Sequence, residues 1–206
     1  MKNQKGFSLI ELLAVILIST SVIVPLIFSL SSNFDTNVRL INKSVATTVT
    51  TSALQGFQDM YYQDIEIVLE TSSEPFIIFN ADNGCDLLRT ASVQPRNSFN
   101  IYTNNQGVCD QIFDIQSINR SFSSEEFMVV VFPYRVEDIS SYQASVNQAY
   151  SDGRIPLEVR DTMLDVIEGE SLSILRIVTW VQYGDDASQN VTRSGLLSPE
   201  VEVEEE

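Results

Sequence analysis

From Phe7 to Leu30 the chain is a largely apolar run, and one ionisable side chain, Glu11, stands inside it. No charged residue occurs between Leu12 and Asn33. A helix rises about 1.5 Å per residue and the hydrocarbon core of a bilayer is about 30 Å thick, so the run is long enough to span a membrane. The segment before it, MKNQKG, is short and basic, with Lys2 and Lys5 on that side and Asp35 the first charge beyond the run. The positive-inside bias then places the amino terminus in the cytoplasm and the rest of the chain outside. A secretory signal would carry an apolar stretch of about 7 to 15 residues closed by small residues, and this run is longer.

Glu11 adds a second constraint. An acidic residue at the centre of a membrane helix costs about 2.5 to 3.5 kcal/mol on insertion scales, and less toward the cytoplasmic end, where Glu11 sits. A simple anchor has no use for the group, although its carboxylate can reach the cytoplasmic headgroups. A carboxylate inside a membrane helix otherwise points to function and to a partner of opposite charge.

The residues Lys5-Gly6-Phe7-Ser8-Leu9-Ile10-Glu11, followed directly by the apolar run, resemble the class III signal of type IV prepilins and pseudopilins. The resemblance covers only the amino-terminal leader and apolar run. It implies that a prepilin peptidase cuts between Gly6 and Phe7, that the new Phe7 amine is methylated, and that Glu11 pairs with the Phe7 amine of a neighbouring subunit. That pairing is physically sensible, because an unpaired carboxylate in hydrocarbon is expensive and an adjacent chain's amine offers the compensating charge. A subunit stacked out of step leaves both charges buried alone, so the pair specifies register while adding little net stability.

Pro25 interrupts the run; a proline within a helix removes one backbone hydrogen bond and tends to kink the rod. The family commonly carries a helix-breaking proline in this stretch, so a kink near Pro25 is expected. A membrane helix also tolerates such a proline with no role in assembly.

The resemblance implies an α+β, pilin-like fold: a long N-terminal helix whose second half packs on an antiparallel β-sheet. The pattern agrees. Phe34, Val38, Ile41, Val45 and Val49 continue at helical spacing, so one helix is expected over residues 7–56, spanning the membrane over 7–30 and ending near Gly56. A second helical piece is expected from Phe57 to Leu69, with Phe57, Tyr61, Ile65 and Val68 on one face. The globular α+β domain then covers residues 57–199. From Pro75 onward short apolar or alternating runs bounded by turn residues predict strands at 76–80, 99–103, 111–116, 127–132 and 171–183. The last of these is apolar on both faces. A short helix is expected over Leu157–Ile167, with Val159, Met163, Val166 and Ile167 facing the core. Residues 200–206, EVEVEEE, read as a solvated acidic tail.

Charge and composition narrow the function. Acidic residues number 28 against 12 basic, with no His and a net charge of −16. Removal of Lys2 and Lys5 with the leader takes the side-chain balance to 10 − 28 = −18. Such a surface argues against nucleic acid as a partner, unless Arg89, Arg96 and Arg120 gather into one patch. Without histidine there is no Ser-His or Cys-His nucleophile pair and no histidine-based metal site. Asp82, Asn83 and Asp86 offer oxygen ligands but lack calcium-loop spacing and read as an Asx-rich turn; Asp185 and Asp186 are discounted likewise. No catalytic activity, metal or cofactor is expected.

The partners expected are other pilin subunits, the prepilin peptidase and, before assembly, the membrane. The protein is then a single-pass protein of the cytoplasmic membrane that later joins an extracellular or periplasmic filament. A minor pilin suits the chain's size and irregular loops; a pseudopilin of a type II secretion or competence system and an adhesive or ligand-binding module on a pilin stem are the alternatives.

Cys85 and Cys109 flank a polar, Asn-containing stretch. In an exported domain they can close a loop worth about 3 kcal/mol, and in a reducing compartment they are two separate thiols. The exported placement predicts that full-length protein alkylated without reduction shows no modified thiol by mass spectrometry; two modified thiols would reject the bridge.

Overall fold

The computed structural model describes residues 9–59, 62–80, 82–84, 86–87, 122–123, 125–170, 174–184, 186 and 188–199. The expected strands at 99–103 and 111–116, Tyr61, both cysteines, the three arginines Arg89, Arg96 and Arg120, and the acidic tail lie outside them. The chain divides into two compact units, Met1–Asn42 and Lys43–Glu206.

Helix α1 runs from Leu9 to Gln58 without interruption, and α2 from Tyr62 to Thr71. The helix therefore passes through Gly56, where the sequence predicts a stop. A mid-helix glycine costs only about 1 kcal/mol, and Phe57, just beyond it, is fully buried with its ring 5.1 Å from that of Phe79. Packing outweighs propensity here. Phe57 thus closes α1 rather than opening α2, whose buried residues are Tyr62, Ile65 and Val68.

The threonine-rich stretch stays helical despite its poor propensity because Val49, Thr50 and Ala53 are buried, and its hydroxyls turn back onto carbonyls one turn earlier: Thr47 on Lys43 at 2.8 Å, Thr50 on Ala46 at 3.0 Å and Thr51 on Thr47 at 2.7 Å. Burial on α1 begins at Val45 and Ala46. Phe34, Val38 and Ile41 are exposed.

Four strands form an antiparallel sheet in the order β1-β2-β5-β6: β1 Ile77–Asn80, β2 Phe127–Pro133, β5 Leu175–Gln182 and β6 Asn190–Leu197. The first three answer expected strands, and the fold is α+β. Strand alternation splits β2 and β5 between two cores. Phe127, Val129, Val131, Leu175, Ile177 and Val181 face Ala46, Val49, Ala53 and Phe57 of α1. Met128, Val130, Phe132, Val178 and Trp180 face helices α3 (Ile139–Ser151) and α4 (Leu157–Met163). On the first face, small residues on α1 let helix and sheet approach closely. The buried Thr179 hydroxyl donates to the Thr50 carbonyl at 3.1 Å across that seam. Gly195 of β6 belongs to the same contact, since a Cβ there would lie 2.6 Å from Nε2 of Gln58, which itself donates to the Leu196 carbonyl at 3.3 Å.

The second face is built by elements the sequence hides. Helix α3 reads as polar, yet Asp138 caps it by accepting from the Ser141 N–H at 3.0 Å, and Tyr142, Val146 and Ala149 are its buried stripe. It stops at Gly153, whose φ of 73° suits glycine. In α4, Val159 and Met163 are buried as expected, but the helix ends at Met163. Ile167 is exposed and belongs to a two-residue strand β4 (Ile167–Glu168), paired in parallel with β3 (Arg135–Val136). Backbone pairing wins there: the Ile167 N–H donates to Tyr134 and the Gly169 N–H to Val136.

Two substitutions separate these contributions. Phe57→Ala should destabilise the domain by about 3 to 5 kcal/mol through the cavity it leaves, whereas Thr179→Val, close in volume, should cost about 1 kcal/mol for the lost hydrogen bond. Thermal unfolding of the full chain measures both; equal losses would mean that the aromatic contact is not the dominant tie.

Candidate functional site

The candidate site is the exposed stem of α1. Its side chains present hydrocarbon on every side: Leu9 is 81%, Ile10 79% and Phe28 71% exposed. Leaving a side chain of this size in water rather than burying it forgoes about 1.5 to 3 kcal/mol. The helix is long and apolar enough to cross a membrane by length and composition.

Two hydroxyls of the stem are satisfied within it. Thr20 donates to the Ile16 carbonyl at 2.9 Å and Ser21 to the Ile18 carbonyl at 2.8 Å, so neither hydroxyl needs water. Pro25 lies inside the helix and has no N–H to offer the Ser21 carbonyl one turn earlier. Glu11 lies near the start of the described helix. Gly6 and Phe7, the expected cleavage and methylation positions, fall outside the described residues, as do Cys85 and Cys109. The structure therefore places Glu11 and Pro25 on one helix.

In the second unit, the Asx-rich turn after β1 takes the form the sequence suggests. The Asn80 side chain accepts from the N–H groups of Asp82 and Asn83 at 3.0 Å each, and Asp186 accepts from Ser188 at 3.0 Å. Among the described residues no group of three or more His, Cys, Asp or Glu gathers to hold a metal. Sequence reasoning did not find a cleft of about 1080 Å³ beside β1, lined from segments scattered between Ser72 and Ser188. No local motif marks it, because its walls meet only once the sheet has formed. At its edge Arg154 grips Glu74 through two contacts of 2.9 and 2.8 Å, a hydrogen bond that holds the guanidinium more firmly protonated. Deeper on the same sheet face, burial pushes the Tyr142 phenol well above its ordinary range.

A family model described as the prokaryotic N-terminal methylation motif matches residues 1–27, which cover Gly6, Phe7, Glu11 and Pro25. This is the class III signal of type IV pilins. No curated protein and no solved structure matches the chain.

Proposed function

We propose that this chain is a structural subunit of a type IV pilus-like filament, and that it acts as a minor pilin. The prepilin peptidase cuts after Gly6, Phe7 becomes the methylated terminus, and subunits assemble through the stem. Before assembly the stem spans the cytoplasmic membrane with its amino terminus inside; afterwards it lies in an extracellular or periplasmic filament.

The observation that carries this is a lone carboxylate, Glu11, on an otherwise apolar exposed helix directly after the methylation motif. Lipid can cover the apolar side chains but gives Glu11 no positive charge in the hydrocarbon. The Phe7 amine of a neighbouring copy does, and the pair fixes the stagger of one stem on the next. Pro25 supports the same reading, since a helix lacking one backbone bond there bends at lower cost when stems pack. The motif belongs equally to pseudopilins, so a subunit of a secretion or DNA-uptake machine is the second reading.

Two experiments test the proposal. Gly6→Trp should leave the precursor at full length in cells with an active peptidase; a chain beginning at Phe7 recovered from that variant would refute the cleavage. Removing one member of a buried pair costs about 3 to 5 kcal/mol. Glu11→Leu should therefore insert in the membrane normally, yet enter sheared filaments more than about a hundredfold less. Filaments carrying the variant at the normal level would remove the register argument.

A further inference from the structure

The cleft beside β1 has a role that the stem does not explain. Its apolar lining is the partly exposed Ile78 and the exposed Leu157, above the buried Phe76, Met128 and Trp180 of the sheet face turned away from α1. Strand β1 ends the sheet, pairing only with β2 among the described strands. Main-chain groups of successive residues point to opposite sides of a strand. The Asn83 carboxamide shows which side is open: it donates to the Ile78 carbonyl at 3.1 Å and accepts from the Asn80 N–H at 2.9 Å. Residues 78 and 80 thus turn their main-chain groups away from β2, and Asn83 supplies the bonds that one residue of a further strand would make. The next two groups along that edge, the Ile78 N–H and the Phe76 carbonyl, have no partner among the described residues. The indole N–H of Trp180, in the cleft wall, likewise has none.

Charge selects the occupant. The cleft is lined by three carboxylates, Glu74, Glu125 and Glu158, against one guanidinium, Arg154, which is committed to Glu74. Asp82 adds a further negative charge in the turn that follows β1. Polyanions are repelled by such a rim. Two copies of this chain meeting edge to edge would bring like charges together.

We propose that the cleft receives an extended peptide of another protein, with apolar and basic residues in alternation, added as a strand to the open edge of β1. Its main chain pairs with Ile78 and Phe76, alternate apolar side chains rest against Ile78 and Leu157 above Met128 and Trp180, and basic side chains meet Glu125 and Glu158 at the rim. This surface is separate from the stem and does not depend on how the stem assembles.

Trp180 is the sole tryptophan of the chain, so its emission reports directly on the cleft. The full-length protein in detergent micelles should show a saturable change in tryptophan emission with a synthetic octapeptide of alternating valine and lysine. Methylating alternate peptide nitrogens, which removes the edge hydrogen bonds, should abolish the change. Glu125→Lys, at an exposed position, should weaken binding about fivefold, and Ile78→Pro, which deletes the open N–H, should abolish it while leaving the unfolding temperature of the domain near that of the parent. Equal binding of the methylated peptide, equal binding of a valine-glutamate counterpart, or no saturable change up to about 1 mM peptide would each overturn the proposal. The last result includes the case in which the chain covers its own edge.

Discussion

The constraint on which everything else rests is that the first part of α1 carries apolar side chains all round and has nothing of its own to bury them against. A helix of that kind is stable only in a medium that covers it. Water does not, so this segment calls for an apolar environment. The hydroxyls of Thr20 and Ser21 fit this requirement, because both are turned back onto their own helix. Glu11 is the one carboxylate in that apolar stretch.

The remainder of α1 obeys a different rule. From Val45 to Phe57 its buried face is made largely of alanine, valine and threonine, and it lies on a sheet whose central strands are apolar on both sides. One helix thus serves two environments in sequence, and the change falls where small buried residues replace large exposed ones. The second sheet face needs its own cover, which α3 and α4 provide for the half nearest Phe132 and Val178. Met128 and Trp180 belong to the same buried cluster and lie beneath the cleft.

What could be read from the sequence follows from how local each signal is. The stem, β1, β2 and β5 are legible because their apolar runs are continuous or strictly periodic over their whole length. Helix α3 is not, since its serines and glutamines have modest propensity and its buried stripe is only Tyr142, Val146 and Ala149. Strand β6 is hidden for a similar reason: Asn190–Leu197 contains a glycine and buries only Leu197, and pairing with β5 holds it in place. The overlong reading of α4 came from Ile167, whose apolar side chain suggests a core position while its backbone is taken by β3. Glu11 and the motif before it stand out from local order alone. The cleft does not, because the residues around it are brought together only by strand order.

The seam between α1 and the sheet also decides how the domain responds to a pull along the stem. Load arriving through the helix passes into β5 by way of Thr50 and Thr179, and into β6 at Gly195 against Gln58. Many shallow contacts are then strained together as the helix slides, instead of parting one after another as they would if it were peeled away. A joint of mostly low-profile side chains is therefore a mechanical coupling, in which the one deep ring, Phe57, is flanked by shallow contacts that share its load.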